Sequence, residues 1–364
     1  MNSQFYSLKV SKIKSETNDA LSISFEIPKE LKDIFQYIAG QYITIKMDFN
    51  GKEERRAYSM SSCPEDKDFT ITVKKVNGGL LSTYFHDKLK VGDQLEVMPP
   101  TGRFVVPLDA SNRKRYYLFA AGSGITPILS ILKSILETEQ KSEVFLLYGN
   151  RNEDSIIFRS DLEDIEKRYE GQIEVQHILS QPKETKQSGL FGAFKKSTTQ
   201  WIGLKGRIDD KSTAAYLDKL PASNLPSEYF ICGPGNMIDA VIYELTDRGI
   251  DKKHIHQEHF FTEASKSAPT NARNGFSNMK VTINGETFET EIANNKTILD
   301  VLVAMKKNPP FSCQNGACST CMAKLVEGEV EMAVCYALEE DEIADGYILT
   351  CQAKPKTAYL EVIF

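Results

Sequence analysis

The chain has 364 residues, 41% of them hydrophobic and 26% charged, enough for two or three domains that each bury a core. No stretch approaches the ~18 apolar residues of a membrane span, and MNSQFYSLKV has no apolar run suited to a signal peptide, so a cytoplasmic protein with no membrane partner is expected. The net charge of -6 falls on residues 279 to 364, with 13 acidic and 7 basic side chains against 37 of each before them, which argues against nucleic acid as a partner.

From residue 5 to about 108, alternating segments such as YITIKM, FTITVKKV and QLEVMPP are separated by Gly, Pro, Asn and Asp, the pattern of a small antiparallel barrel or sandwich. The period then changes. RYYLFAA reads as a buried strand, and PILSILKSIL carries the apolar stripe of a helix packed on a sheet. EVFLLYG, IEVQHIL and EYFICG follow as strands, with SDLEDIEKRY and MIDAVIYELTDRG as helices among them, which predicts a parallel α/β sheet. Residues 181 to 204 form a polar insertion, read as a surface loop, in which Trp201 has no assigned chemistry. After HIHQEHFF comes TEASKSAPTNARNGFSN, with the composition of a linker. KVTINGETFETEI predicts a hairpin turning at Asn284-Gly285, and TILDVLVAMK a helix with Ile298, Val301, Leu302 and Met305 on one face. The expected division is therefore 1–108, 109–262, a linker at 263–278, and 279–364.

Cys313, Cys318 and Cys321 give C-x4-C-x2-C, with Cys351 thirty residues on, the spacing of four thiolate ligands to a plant-type 2Fe-2S cluster. Gly316, Ala317, Ser319 and Thr320 are small enough for backbone N–H groups to approach the sulfides. A structural zinc site is the alternative, but zinc modules usually present two C-x2-C pairs and this chain has one. Cys335 fits neither pattern and reads as a small buried hydrophobe. Between RYYLFAA and the following helix, Gly122-Ser123-Gly124-Ile125-Thr126-Pro127 makes a G-x-G-x-x-P turn whose backbone suits a pyrophosphate, with Thr126 as a helix cap and Pro127 in the first turn. Arg151, after Tyr148-Gly149-Asn150, occupies a position facing an adenosine ribose, where arginine can neutralise a 2′-phosphate and tilts the cofactor toward NADPH over NADH. Cys232-Gly233-Pro234 ends a strand at the same sheet edge. His254, His256 and His259 invite a zinc reading, but strand alternation sets His259 on the opposite face from the other two.

Arg56-Ala57-Tyr58-Ser59, Gly79 to Ser82, the G-x-G-x-x-P turn, Cys232-Gly233-Pro234 and the C-terminal cysteines, in this order, resemble the ferredoxin-NADP reductase superfamily in its oxygenase-reductase branch. The resemblance spans nearly the whole chain. It implies an antiparallel β-barrel flavin domain, an α/β parallel-sheet nucleotide domain and an α+β β-grasp ferredoxin domain. It also implies that Arg56 and Ser82 hold flavin phosphates, that Tyr58 stacks on the ring, and that Ser59 lies near its reactive nitrogen. Ala57, Val73, Lys74, Gly79 and Leu80 complete the implied flavin site, and Pro100 to Phe104 favour FAD over FMN. Cys232 and Glu258 would flank the nicotinamide. The implied activity is NAD(P)H oxidation through FAD and a 2Fe-2S cluster to an oxygenase, one acting on an activated aromatic acid such as phenylacetyl-CoA, with Rieske-type, steroid and alkane hydroxylases as alternatives. A non-enzymatic iron-sulfur sensor is the rival of another class.

Overall fold

The computed structural model describes residues 4–186, 197–199, 201–260 and 275–364. The first sheet contains β1 (Tyr6–Thr17), β2 (Ala20–Glu26), β3 (Tyr42–Phe49), β4 (Lys52–Ser59), β5 (Phe69–Lys74) and β6 (Gln94–Thr101), with α1 (Leu80–Asp87) before the last strand. All pairings are antiparallel, in the order β4-β3-β6-β1-β2-β5, and a bridge between Met60 and Ile71 brings the two edges together as a barrel. The sequence alternation explains the core. Leu8 with Val10, Ile23 with Phe25, Ile43 with Ile45, and Leu95 with Val97 are i, i+2 pairs that point inward together.

The second unit is built from β7 (Arg115–Ala121), α2 (Ile125–Thr138), β8 (Glu143–Asn150), α3 (Arg159–Arg168), β9 (Ile173–Leu179), β10 (Glu184–Lys186), β11 (Ser197–Thr199), β12 (Leu204–Lys205), α4 (Asp210–Leu217), β13 (Ser227–Gly233), α5 (Gly235–Asp247) and β14 (Ile255–His259). Its six-stranded sheet has the order β12-β9-β8-β7-β13-β14, parallel throughout. RYYLFAA is apolar without alternation because both faces are covered: Tyr116, Leu118 and Ala120 share a core with α2, and Tyr117 and Phe119 share one with α5. The chain winds outward from β7 to β12 and then returns to β13 on the other side of β7. A crevice is therefore left at the carboxyl ends of β7 and β13, the place where sheets of this type bind nucleotides.

Here α2 differs from the amphipathic helix expected. Nearly every residue in it is buried, because the helix is wedged between the parallel sheet and the barrel, with Ser130 Oγ donating to the Ser62 carbonyl at 2.6 Å and Lys133 paired with Asp66. Thr126 is also not its cap. The helix starts at Ile125, after a 3-10 turn at Gly122–Gly124, and Thr126 Oγ1 donates to the Ser123 carbonyl instead, while Pro127 does sit in the first turn. The insertion at 181 to 204 is more than a surface loop: β10 and β11 pair antiparallel, and Trp201 packs against the nucleotide-sheet core, its indole N–H donating to the Leu204 carbonyl. Residues 187–196 and 200 of that insertion lie outside the described residues.

The third unit comprises β15 (Phe276–Ile283), β16 (Glu286–Ala293), α6 (Ile298–Ala304), β17 (Met322–Glu327), β18 (Val330–Met332), α7 (Glu340–Ala344), β19 (Tyr347–Leu349), β20 (Ala353–Pro355) and β21 (Tyr359–Ile363). The mixed sheet β16-β15-β21-β17-β19, packed against α6, is the β-grasp arrangement of a ferredoxin domain. Asn284 and Gly285 form its first turn with φ of 52° and 81°, the left-handed pair that suits a two-residue hairpin. On α6 the buried residues are Ile298, Leu299 and Leu302, whereas Met305 is 39% exposed, because the helix ends at Ala304 and Met305 is its C-cap. Most of the linker expected at 263–278 lies outside the described residues, and Phe276 already belongs to β15.

Candidate functional site: a cavity shared by the three units

β4 delivers Arg56, Ala57, Tyr58 and Ser59 to one cavity of about 840 Å³. β5 adds Val73 and Lys74, the start of α1 adds Gly79, Leu80 and Ser82, the α2 entry adds Thr126, and β14 adds Glu258. Cys313, Ala317 and Cys318 of the cysteine loop close the remaining side. Most of the flavin-site residues expected from sequence therefore meet in one place, together with the first two cysteines.

At one end of the cavity the first turn of α1 presents unpaired N–H groups, and Lys74 and Lys75 lie nearby with Arg56, which suits phosphate. Ser82 Oγ accepts from the Val76 N–H at 3.1 Å and so folds the turn over the helix entry. A Cβ at Gly79 would sit 2.6 Å from that oxygen, so the glycine keeps the turn open. Arg56 is engaged already: Glu54, 6% exposed, lies 3.0 Å from it, and Lys52 pairs with the same carboxylate. In the middle of the cavity Tyr58 packs against Phe85 with ring centroids 5.7 Å apart, and burial raises its phenol pKa far above the usual value. These features fit a flavin dinucleotide: donors at one end and an aromatic wall beside the space for a flat ring.

Where barrel and nucleotide sheet meet, Ser59 Oγ donates to Glu258 Oε2 at 3.0 Å. Burial pushes the Glu258 carboxyl up to about 8; the Ser59 hydrogen bond works against this and negative charge on Cys318 adds to it. Native Glu258 thus holds its proton more tightly than the unfolded chain does, so its stabilising contribution is full below the ordinary carboxyl pKa and is lost as pH rises toward 8. Glu258→Gln should therefore gain stability relative to the parent between pH 6 and 8 and stay level above that, as read by chemical denaturation. An offset constant with pH would contradict this.

Across the sheet register, Glu258 is paired with Cys232, which is fully buried and whose thiol is held in its neutral form by burial and by Glu258. Cys232 lies behind the cavity wall and does not line it, unlike Glu258. Gly122, Gly124, Pro127, Gly233 and Pro234 also stand outside it, clustered at the crevice between β7 and β13. A Cβ on Gly124 would lie 2.1 Å from the Cys232 carbonyl oxygen, so only glycine lets the α2 entry approach that strand end. Arg151 is exposed just beyond β8, on the nucleotide side.

The four cluster cysteines are neighbours, with Cys313 hydrogen-bonded to Cys318 and Cys321 to Cys351. In each pair one thiol is lowered by its neighbour's hydrogen bond, Cys318 and Cys351, and the other is raised by the thiolate beside it. Four neighbouring thiols are the donor set of a 2Fe-2S cluster. The loop between them bends where needed: Gln314 and Gly316 have φ of 57° and 76°, and a Cβ at Gly316 would meet the Val334 carbonyl at 2.7 Å. The Asn315 N–H donates to Cys313 Sγ at 3.5 Å. Cys335 is half-buried at the edge of the Cys321–Cys351 core and belongs to neither pair.

His259 lies apart from the other two histidines, as strand alternation leads one to expect. His254 precedes β14 in a 3-10 turn, yet it and His256 both reach Glu228, at 3.4 and 3.1 Å, while His259 is buried and stacks on Tyr336 of the ferredoxin domain with centroids 4.1 Å apart. Sequence reading missed Phe260, His259, Gln314 and Asn315 in the cavity wall. For the last two the signal was present, since they sit between the first two cluster cysteines.

Three family models match in succession: an oxidoreductase FAD-binding domain over residues 7–106, an oxidoreductase NAD-binding domain over 118–242, and a 2Fe-2S iron-sulfur cluster binding domain over 281–356. The chain is 36% identical over 364 residues to a component polypeptide of the 1,2-phenylacetyl-CoA epoxidase of Escherichia coli, covering 99% of this chain and 98% of that one. It is 33% identical to the ferredoxin reductase component of 3-ketosteroid-9-alpha-monooxygenase of Rhodococcus rhodochrous, covering 98% and 96%. Among solved structures, phthalate dioxygenase reductase superposes with a TM-score of 0.60 at 25% identity, covering 99% of this chain and 98% of that one. Among the described residues no helix is long and apolar enough to cross a membrane. The chain is an NAD(P)H-dependent oxidoreductase and belongs to the family of reductases that join FAD-binding, NAD-binding and 2Fe-2S domains in one polypeptide.

Proposed function

We propose that this reductase supplies electrons to an oxygenase acting on phenylacetyl-CoA, in the cytoplasm, with NADPH as the donor. The observation that carries the electron route is the shared cavity, in which Tyr58 and Ser59 of the barrel, Glu258 of the nucleotide sheet and Cys313 and Cys318 of the ferredoxin domain face one space. The choice of acceptor rests on the full-length likeness to the epoxidase component. Seven cysteines, all free, agree with a reducing compartment.

When bound, FAD accepts two electrons as a hydride and releases them singly, and the 2Fe-2S cluster carries one electron at a time. The protein binds, orients and shields. Arg56 and the α1 N-terminus take the flavin phosphates, Arg56 exchanging part of its pairing with Glu54 for them. Tyr58 covers one face of the ring, with Ala57, Val73, Lys74, Gly79 and Leu80 shaping the rest. Gly122, Gly124, Thr126 and Pro127 let a pyrophosphate approach the α2 entry, and Gly233 and Pro234 leave room for the nicotinamide. Cys232 backs that space, and Ser59 and Glu258 hold a proton between Oγ and Oε2 beside it. The four cysteines would hold the irons, and their loop forms one side of the cavity.

Arg151 faces the ribose end and is assigned to the 2′-phosphate. Arg151→Ala should raise the KM for NADPH about tenfold by removing one charge-assisted contact, with little change for NADH. Equal changes for both nucleotides would rule out that assignment. The acceptor is tested by adding the chain to the remaining components of a phenylacetyl-CoA oxygenase that lacks its reductase. NADPH-dependent consumption of phenylacetyl-CoA supports the proposal; none, while cytochrome c reduction persists, rejects it.

A further inference from the structure

The β3–β4 ribbon has a polar outer face, most of which is buried. By register and alternation Tyr42, Thr44 and Lys46 share that face with Ser59, Ala57 and Arg55, while Ile43 and Ile45 point into the barrel core. A barrel rim facing water should leave such residues wet. Instead Thr44 is 0% exposed, Tyr42 and Ser59 are 4% exposed, and Arg55 is 8% exposed.

Ser59 meets Glu258, and what covers Tyr42, Thr44 and Arg55 is the chain on either side of the first cysteine pair. Tyr42 Oη and Thr320 Oγ1 are hydrogen-bonded at 2.7 Å, and Thr44 Oγ1 donates to Ser312 Oγ at 2.8 Å. The Arg55 guanidinium lies 3.8 Å from the centroid of the Phe311 ring and 4.9 Å from that of Phe5, between the two, and donates to the Phe311 carbonyl at 3.4 Å. Glu53, 2.7 Å away, balances its charge. These partners bracket Cys313 and Cys318, the two cysteines that line the shared cavity.

We propose that Arg55, with Tyr42 and Thr44, forms the seat that positions the cysteine loop of the ferredoxin domain against the flavin cavity, so that these residues set the rate of electron passage between the two centres. The inference rests on the reductase reading above. Electron transfer falls steeply with distance, so a loop held a few ångströms too far would slow the hand-off without touching hydride uptake. A polar seam suits the task. Each buried hydroxyl or guanidinium is satisfied only in one register, which gives specificity, and such pairs contribute little net stability, so the seat can open. Arg55 is a positioning residue and not part of the flavin site, to which its neighbour Arg56 is assigned.

The test uses the full-length holoprotein with Arg55→Met, Arg55→Lys and Thr44→Val. Thr44→Val keeps the shape of the side chain and removes one hydrogen bond, so it remains informative if Arg55→Met folds poorly. NAD(P)H-dependent reduction of ferricyanide, drawn from the flavin, should stay within about twofold of the parent in each, whereas cytochrome c reduction through the cluster should fall about tenfold or more in Arg55→Met and less in Arg55→Lys and Thr44→Val, as expected for loss of one or two buried polar contacts. Small-angle X-ray scattering, which does not depend on activity, should show a larger radius of gyration for Arg55→Met. An unchanged radius with cytochrome c reduction intact, or both activities falling in parallel, overturns the proposal. A parent protein that reduces neither acceptor would reject the reductase reading instead, and the scattering comparison would still report on the seat.

Discussion

Cys318→Ser should abolish cytochrome c reduction, by about a hundredfold or more, while NAD(P)H-dependent ferricyanide reduction remains within about twofold of the parent, because a hydroxyl is a poor substitute for a thiolate at iron and the flavin lies upstream of the cluster. Cys318 is the sharpest choice among the four. It pairs with Cys313, is 7% exposed, has its thiol pKa lowered by that neighbour, and lines the shared cavity. Iron bound per chain should fall with the activity. Cys335→Ser is the matched control, since Cys335 lies outside both pairs, and it should change neither activity nor iron content. If Cys335→Ser lost the cluster and Cys318→Ser kept it, the ligand set would have to be redrawn.

Gly124→Val should remove NAD(P)H oxidation with every acceptor and lower the thermal midpoint. A Cβ at this position meets the Cys232 carbonyl oxygen at 2.1 Å and its carbon at 2.5 Å. Those are backbone atoms that cannot swing aside, so the α2 entry must withdraw from β13, and overpacking of this kind costs about 1–3 kcal/mol or more. The same withdrawal carries the α2 entry, whose backbone would meet a pyrophosphate, out of position. Gly235→Ala offers the contrast: nothing lies within 4 Å of the added methyl at the start of α5, so stability should hold. A Gly124→Val protein with the parent's midpoint and full activity would mean that the crevice is not the nucleotide site.

How much of this was legible depended on whether the signal was local. Leu8 with Val10 and Ile43 with Ile45 alternate because one face of a barrel strand is buried, and RYYLFAA does not alternate because both faces are. The cysteine spacing was equally local, and the structure brings the four thiols into facing pairs. What sequence could not convey were contacts between units. The stripe on α2 looked amphipathic, yet the barrel covers its polar side through Ser62 and Asp66. Thr126 looked like a cap, but a 3-10 turn at Gly122–Gly124 starts the helix before it. Trp201 seemed to lie in a surface loop because nothing nearby in sequence announces its packing on the nucleotide core. Nothing in the sequence marks Tyr42, Thr44 and Arg55, and only the folded chain sets Thr320, Ser312 and Phe311 over them.

The most direct measurement is anaerobic titration of the purified protein with NADPH, following flavin absorbance and the electron paramagnetic resonance of the cluster together. One FAD and two irons per chain should be recovered, and the flavin should bleach on mixing, with the signal of a reduced 2Fe-2S cluster growing at its expense. Flavin that bleaches while the cluster stays oxidised under excess NADPH, or protein that carries neither group, would contradict the electron route.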